Sequence, residues 1–341
     1  MSKSKVLLIY TGGTIGMMQD PKTGALRPFD FKHLTEQIPE LNKFDVTLSA
    51  VSFDHPIDSS DMQPSVWIEI ARMIEKNYDK VDGFVILHGS DTMSFTASAL
   101  SFMLENLNKP VILTGSQLPI GMIRTDGKEN LITAIEIAAA KDKKGNSIVS
   151  EVCIYFEYQL YRGNRTHKFN AEHFQAFQSA NYPVLAEAGV HLKYNYAALQ
   201  KGSTKKLKVH TRLDQNIAVL KMFPGITENV VSAVLNAKGI KAVILETFGS
   251  GNATTQKWFI SALEKAISKG IVILNVTQCN AGKVEQGKYA TSASFNKIGV
   301  IGGADLTMEA AVAKLMFLLA NAEKKQLPKL LSSDLRGEIT T

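Results

Sequence analysis

Short runs without a polar side chain, each broken off by a cluster of glycine, serine and threonine, constrain this chain most. Residues 6–10 (VLLIY) run straight into Thr11-Gly12-Gly13, and residues 83–87 (GFVIL) into His88-Gly89-Ser90-Asp91-Thr92. A strand that is apolar at every position, rather than at alternate ones, must be covered on both faces, as the central strands of a parallel sheet are. Residues 110–113 repeat the pattern and end in Thr114-Gly115-Ser116-Gln117. Residues 149–156 make a further strand, and residues 44–51 a weaker one that ends near Asp58-Ser59-Ser60-Asp61. Between these strands, helical periodicity predicts helices over 66–78, with Pro64 in the first turn, and over 93–108 and 128–141. Strand, loop and helix in repeated alternation predict a parallel sheet with helices on both faces.

The pattern loosens between residues 181 and 209 and then resumes, with strands at 217–222, 242–245 and 271–275 and helices at 226–237, 255–269 and 308–322. A chain of 341 residues is long enough for two cores. The expected architecture is therefore α/β: a larger N-terminal parallel-sheet domain over 1–190, a linker over 191–212, and a smaller C-terminal α/β domain over 213–341. Residues 334–341 are polar and are expected to fray.

The charge balance, 38 Lys and Arg against 32 Asp and Glu, is only mildly basic. Its lysine clusters at 141–144, 205–208 and 324–325 do not interleave with aromatics, so they read as solvated loops and helix ends, and no nucleic-acid partner is expected. No apolar stretch approaches the roughly 18 residues of a membrane span, and residues 6–10 are too short for the centre of a signal peptide. Cys153 and Cys279 sit in or just after apolar runs and read as buried thiols in a reducing compartment, the cytoplasm.

In open parallel sheets, ligands sit beyond the carboxyl ends of the strands. Thr14 follows two glycines, so its hydroxyl stands beside bare backbone N–H groups. A nucleophile next to donors for developing negative charge is what acyl transfer needs. Cofactor motifs fail: in GGTIG, Thr11 stands where the first glycine of a dinucleotide fingerprint belongs, and there is no P-loop and no G-x-S-x-G elbow. The seven histidines have no metal-ligand spacing, so neither metal nor cofactor is expected, and His88 reads as a structural strand end. Proton transfer is left to side chains such as Asp91, beside Ser90, and the lysine of RGNRTHK, Lys168, which nothing in the sequence itself singles out from the other lysines.

The motifs TGGTIG (11–16), DSSDM (58–62), GFVILHGSDTM (83–93), LSFMLENLNKPVILTGSQLP (100–119), LYRGNRTHK (160–168), TQC (277–279) and GVIGGADLTMEA (299–310) carry a resemblance over nearly the whole chain. In that order they resemble the bacterial cytoplasmic type I L-asparaginases. The resemblance implies hydrolysis of L-asparagine to L-aspartate and ammonia, without a cofactor, by a homodimer or homotetramer. It implies Thr14 as nucleophile, with Ser90, Asp91 and Lys168 as the second hydroxyl and its carboxylate–lysine partners. Ser59 and Asp91 would hold the α-carboxylate and α-amino group, with Ser60 and Gly89 beside them. Gly115 and Ser116 would line the amide end, and Asn252 of a neighbouring subunit would complete the site.

Three departures from the family pattern stand out. Ser90 replaces a threonine, keeping the hydroxyl but losing the methyl that restricts its rotamer. Ala25 lies where many relatives carry a loop tyrosine. Glu246 occupies the place of an arginine that in some relatives binds an effector's carboxylate; His167 replaces a threonine there, while Cys279 is kept. Loss of that cation predicts non-cooperative kinetics, unless Glu246 merely pairs with a local lysine such as Lys241. Two other readings stay open: an amidohydrolase for glutamine or a D-amino acid amide, and a non-catalytic amino-acid-binding protein.

Overall fold

The computed structural model describes residues 3–16, 18–19, 26–27, 38–287 and 290–340, in two compact units. The first comprises Met1–Ser179 with Pro183–Thr211, and the second Ala180–Tyr182 with Arg212–Thr341.

The first unit is built on an eight-stranded sheet. Its strands are β1 (Ser4–Tyr10), β2 (Val46–Ser52), β3 (Gly83–Leu87), β4 (Val111–Thr114), β5 (Val152–Phe156) and β6 (Gln159–Arg162), continued by β9 (Ala186–Ala188) and β10 (Leu192–Tyr194). A separate two-stranded ribbon, β7 (His167–Lys168) with β8 (Phe177–Gln178), lies between them in sequence. The sheet order is β2-β1-β3-β4-β5-β6-β9-β10, parallel from β2 to β5 and antiparallel beyond. The strands called from their apolar runs thus form the parallel centre. Every residue of β3, β4 and β5 is buried. Each fully covered Val, Ile or Leu there contributes about 1.5–3 kcal/mol of burial.

Among the described residues, three α-helices pack in this unit: α1 (Pro64–Asn77), α2 (Met93–Met103) and α3 (Gly127–Ala139). Helix α1 starts on Pro64 at a first-turn position and buries Trp67, Ile70, Ala71 and Ile74, one stripe at i, i+3, i+4 and i+7. Helix α2 stops at Met103 rather than running on to 108. Leu104–Glu105 turns outward to pair with Lys208–Val209, and Asn106 takes a left-handed φ of 69° that ends any helix. The same pairing, with β9–β10, puts residues 191–211 in the first unit, where a linker was expected. Main-chain pairing at a sheet edge needs no apolar run, so the sequence gives no sign of it.

The second unit carries a four-stranded parallel sheet in the order β11 (Ile217–Lys221), β12 (Ala242–Thr247), β13 (Val272–Thr277), β14 (Ile301–Gly302). Helices α4 (Glu228–Leu235), α5 (Lys257–Ser268), α6 (Ala290–Ile298), α7 (Met308–Asn321) and α8 (Leu327–Leu331) belong to it. Val243, Leu245, Phe259, Leu263, Ile273 and Phe295 are fully buried in its core. Residues 334–340 do not fray. Glu338 and Lys314 are both fully buried and paired at 2.7 Å, and Asp305 accepts from the Thr340 amide at 2.9 Å and its hydroxyl at 2.6 Å. Polar residues are ordered here because their partners lie far back in the sequence. Among the described residues, no helix is long and apolar enough to cross a membrane.

Candidate active site

The chain goes from β1 outward to β2, then returns past β1 to β3, so strand order reverses between β1 and β3. That reversal opens a crevice at the strands' carboxyl ends. The register makes the strand ends level: Tyr10 lies beside both Ser52 and Leu87, and Leu87 beside Thr114. The segments that follow therefore leave the sheet side by side.

Thr11 anchors the first loop, its amide and its hydroxyl both donating to the Leu87 carbonyl at 3.0 Å, while its carbonyl accepts from Ile57 N at 2.8 Å. Gly12 and Gly13 have φ of 138° and 88°. A Cβ on Gly12 would stand 2.1 Å from Ile57 O, and one on Gly13 2.4 Å from Gly89 N. Both need glycine twice over, for conformation and for the approach of another backbone. Thr14 then opens a single 3₁₀ turn, Thr14–Gly16, half-buried at its own position with Ile15 and Gly16 buried behind it.

Gly89 abuts both Gly13 and Ser59. A Cβ on Gly89 would fall 2.4 Å from Ser59 Oγ. Ser59 is buried, and its carbonyl accepts from Thr92 Oγ1 at 2.7 Å, locking the Ser59–Asp61 turn onto the 88–92 segment. Ser60 is exposed, and its amide and hydroxyl both donate to Asp58, at 2.9 and 2.8 Å. Those bonds hold the Asp58 carboxyl below its ordinary range.

Lys168 arrives from 77 residues away, on the ribbon β7–β8. Its ammonium donates to Asp91 Oδ1 at 2.6 Å and to Ser90 Oγ at 2.8 Å. The Lys168 side chain is 15% exposed and that of Asp91 64%. The approach to β7 is fixed by Arg162, whose Nε donates to Glu151 at 2.6 Å in a pair buried on both sides. In RGNRTHK, then, one arginine anchors and the lysine reaches the site.

The fourth segment presents Ser116, buried, its hydroxyl donating to Leu118 O at 2.6 Å. Asn130 donates to Gly115 O at 3.0 Å, and Asp126 accepts the amides of Gln117 and Leu118. Burial raises the Asp126 carboxyl's pKa. Gln117 was missed in the sequence: its side chain joins Ser90 to residues 171–173, and an isolated glutamine in a turn carries no signal of that.

His88 is structural. Its Nδ1 donates to Gly89 O at 2.7 Å, and Nε2 accepts from Thr96 Oγ1 at 2.9 Å, which itself accepts from Trp67 Nε1 at 2.9 Å. Complete burial pushes its pKa down to about 4. The unfolded chain takes up that proton nearer pH 6.5, so the folded state is favoured in full above that value and loses ground as pH falls toward 4, by roughly 3 kcal/mol in all. The urea midpoint is expected to drop from about pH 7 to about pH 5, less steeply in His88→Asn, which keeps a donor for Gly89. An unaltered slope in that variant would assign the acid sensitivity elsewhere.

In the second unit, Asn252 closes a tight loop after β12, its amide donating to Phe248 O at 2.8 Å and its Nδ2 facing Ser250 Oγ at 3.5 Å. Glu246 pairs not with Lys241 but with Lys221, its cross-strand neighbour, at 3.2 Å; Lys241 binds Asp214 at 2.6 Å. Cys153 is buried as expected, whereas Cys279 is exposed, because it lies past the end of β13 in a turn closed by Thr277 Oγ1. Ala25 lies outside the described residues. Among the described residues, no cluster of three or more His, Cys, Asp or Glu side chains is suited to a metal ion.

Residues 5–200 match the family described as Asparaginase, N-terminal, and residues 216–329 the Glutaminase/Asparaginase C-terminal domain. The chain is 44% identical to L-asparaginase 1 of Escherichia coli (strain K12), over 100% of its own length and 99% of that protein's. It is 40% identical to the 60 kDa lysophospholipase of Mus musculus, of which it spans 62%. The crystal structure of L-asparaginase I from Vibrio cholerae superposes with a TM-score of 0.90 at 40% identity, covering 99% of this chain and 100% of that one. Matched in both units and along its whole length, this chain belongs to the asparaginase family.

Proposed function

We propose that the chain hydrolyses the side-chain amide of L-asparagine to L-aspartate and ammonia, with Thr14 as nucleophile. The observation that carries this reading is the Lys168–Ser90–Asp91 cluster, on the segment whose Gly89 backbone abuts the Thr14 loop at Gly13. Thr14 Oγ1 attacks the amide carbon as its proton passes by way of Ser90 to Lys168, which yields one of its own to the Asp91 carboxylate. The C–N bond breaks as the nitrogen gains a proton and leaves as ammonia, and water then cleaves the acyl ester. Lys168, linked to Ser90, relays the protons in both halves, while Asp91 holds the lysine in place and meets the α-amino group.

Ser59 takes the α-carboxylate beside Gly89; Ser60, whose amide and hydroxyl both donate to Asp58, flanks it. The Ser116 hydroxyl donates its one hydrogen bond to Leu118 O, so toward an amide NH₂ it acts as acceptor. The reading includes a homodimer or homotetramer in which Asn252 of a neighbouring subunit completes the site, and a cytoplasmic location. Its chemistry needs only proton transfer, so it calls for no metal or cofactor.

Ammonia release from L-asparagine, L-glutamine and their D forms, measured on one purified sample, tests the reading. One methylene separates the two L substrates, so kcat/KM is expected to favour asparagine by about 10–200-fold. Release from none of the four would overturn hydrolysis, and preference for another amide would overturn the substrate.

Glu246 does pair with a local lysine, Lys221, so the expectation of non-cooperative kinetics rests on the missing arginine alone and not on repulsion by the glutamate. A carboxylate offers a second carboxylate none of the paired donations of an arginine. Rate is expected to depend hyperbolically on L-asparagine, with one binding event by calorimetry. A Hill coefficient above about 1.5 at constant oligomeric state would contradict this.

A further inference from the structure

The departure at Ser90 has a counterpart elsewhere in the site. A threonine's methyl narrows the choice of χ1, whereas a serine's single Oγ moves among three staggered positions. Ser90 Oγ is instead held by two hydrogen bonds. It accepts from Lys168 Nζ at 2.8 Å and donates to Gln117 Oε1 at 3.3 Å. A lysine ammonium has donors only, so a hydroxyl that accepts from it must send its own proton elsewhere. Gln117 Oε1 receives it.

The orientation of the Gln117 amide follows from its other contacts. Nε2 donates to His173 O at 3.0 Å and faces Ala171 O at 3.4 Å. Carbonyls accept and never donate, so the nitrogen must lie toward them and the oxygen toward Ser90. Both supports are built. Asn170 Oδ1 accepts from the amides of Glu172 and His173, at 2.8 and 2.9 Å, which shapes the turn that aims the two carbonyls. At the other end the Gln117 amide donates to both Asp126 oxygens, at 3.1 and 2.9 Å.

We propose that Gln117 is the positioning residue for Ser90, fixing by hydrogen bonding the rotamer that a threonine would fix by its methyl. The inference rests on the hydrolase reading above. At 3.3 Å the bond is long for a hydroxyl donor, so its effect should be moderate, about tenfold in kcat, against the larger losses expected at Lys168.

The test is a double-mutant cycle of Gln117→Met, which keeps the length but has no acceptor for Ser90, with Ser90→Thr. Ammonia release is read on whichever of the four amides the wild type turns over. Gln117→Met is expected to lower kcat about tenfold with little change in KM, because the bond orders a catalytic hydroxyl rather than the substrate. Ser90→Thr alone supplies the reference kcat for the cycle. In the Gln117→Met background it should recover most of the loss, a coupling that a merely structural glutamine would not produce. Gln117→Leu, a second acceptor-free side chain of different shape, guards against a packing or folding defect peculiar to methionine, and should couple to Ser90→Thr in the same way. An unchanged kcat in both single Gln117 variants, or effects that simply add to that of Ser90→Thr, would overturn the role of Gln117 while leaving the hydrolase intact. A wild type inactive on all four amides would overturn both.

Discussion

Thr14→Ala is expected to lower ammonia release from L-asparagine by about 10³-fold or more while leaving the fold unchanged, because it removes the atom that forms the acyl ester. The loop does not depend on that hydroxyl for its shape. Its geometry is held by Gly12 and Gly13, by the two donations of Thr11 to Leu87 O, and by main-chain bonds from Ile57 N to Thr11 O and from Gly16 N to Gly13 O. The unfolding midpoint should therefore stay near that of wild type. Thr14→Ser, which keeps a hydroxyl, should retain more turnover than alanine. Activity of Thr14→Ala above about a tenth of wild type would remove Thr14 from the mechanism.

Lys168→Met is expected to bind L-asparagine, measured by calorimetry, yet to turn it over about 10²–10⁴-fold more slowly. Methionine is close in length to lysine but carries neither proton nor charge. The loss of charge leaves Asp91 without its cation, and in a buried site that alone would damage folding. Here the Asp91 side chain is 64% exposed, so water solvates the carboxylate left behind. The variant should fold, and its defect should appear in kcat. Turnover within about tenfold of wild type would show that Lys168 is no proton relay.

The exposure of Asp91 illustrates what a sequence withholds. Asp91 beside Ser90 in a strand-end loop marks a candidate site, but not whether its carboxylate is wet or dry. Lys168 was legible only through resemblance, since nothing local distinguishes it from the other lysines. Gln117 was not legible at all. Its importance comes from the meeting of three segments, the 88–92 loop, the 114–117 turn and the 170–173 turn, that are remote from one another along the chain.

The sequence by itself determined where the central strands β1, β3, β4 and β5 lie and that the chemistry gathers in the small polar segments after them. Burial on both faces demands unbroken apolar runs, and close backbone approach demands glycine; both demands are local and leave their mark residue by residue. Only the tertiary structure decided the antiparallel extension through β6, β9 and β10, the pairing of Glu246 with Lys221, and the pinned C-terminus in which Glu338 meets Lys314. Main-chain pairing and ion pairing join groups that are individually polar and unremarkable, and the free energy of each depends on a partner set by the fold rather than by the neighbours in sequence.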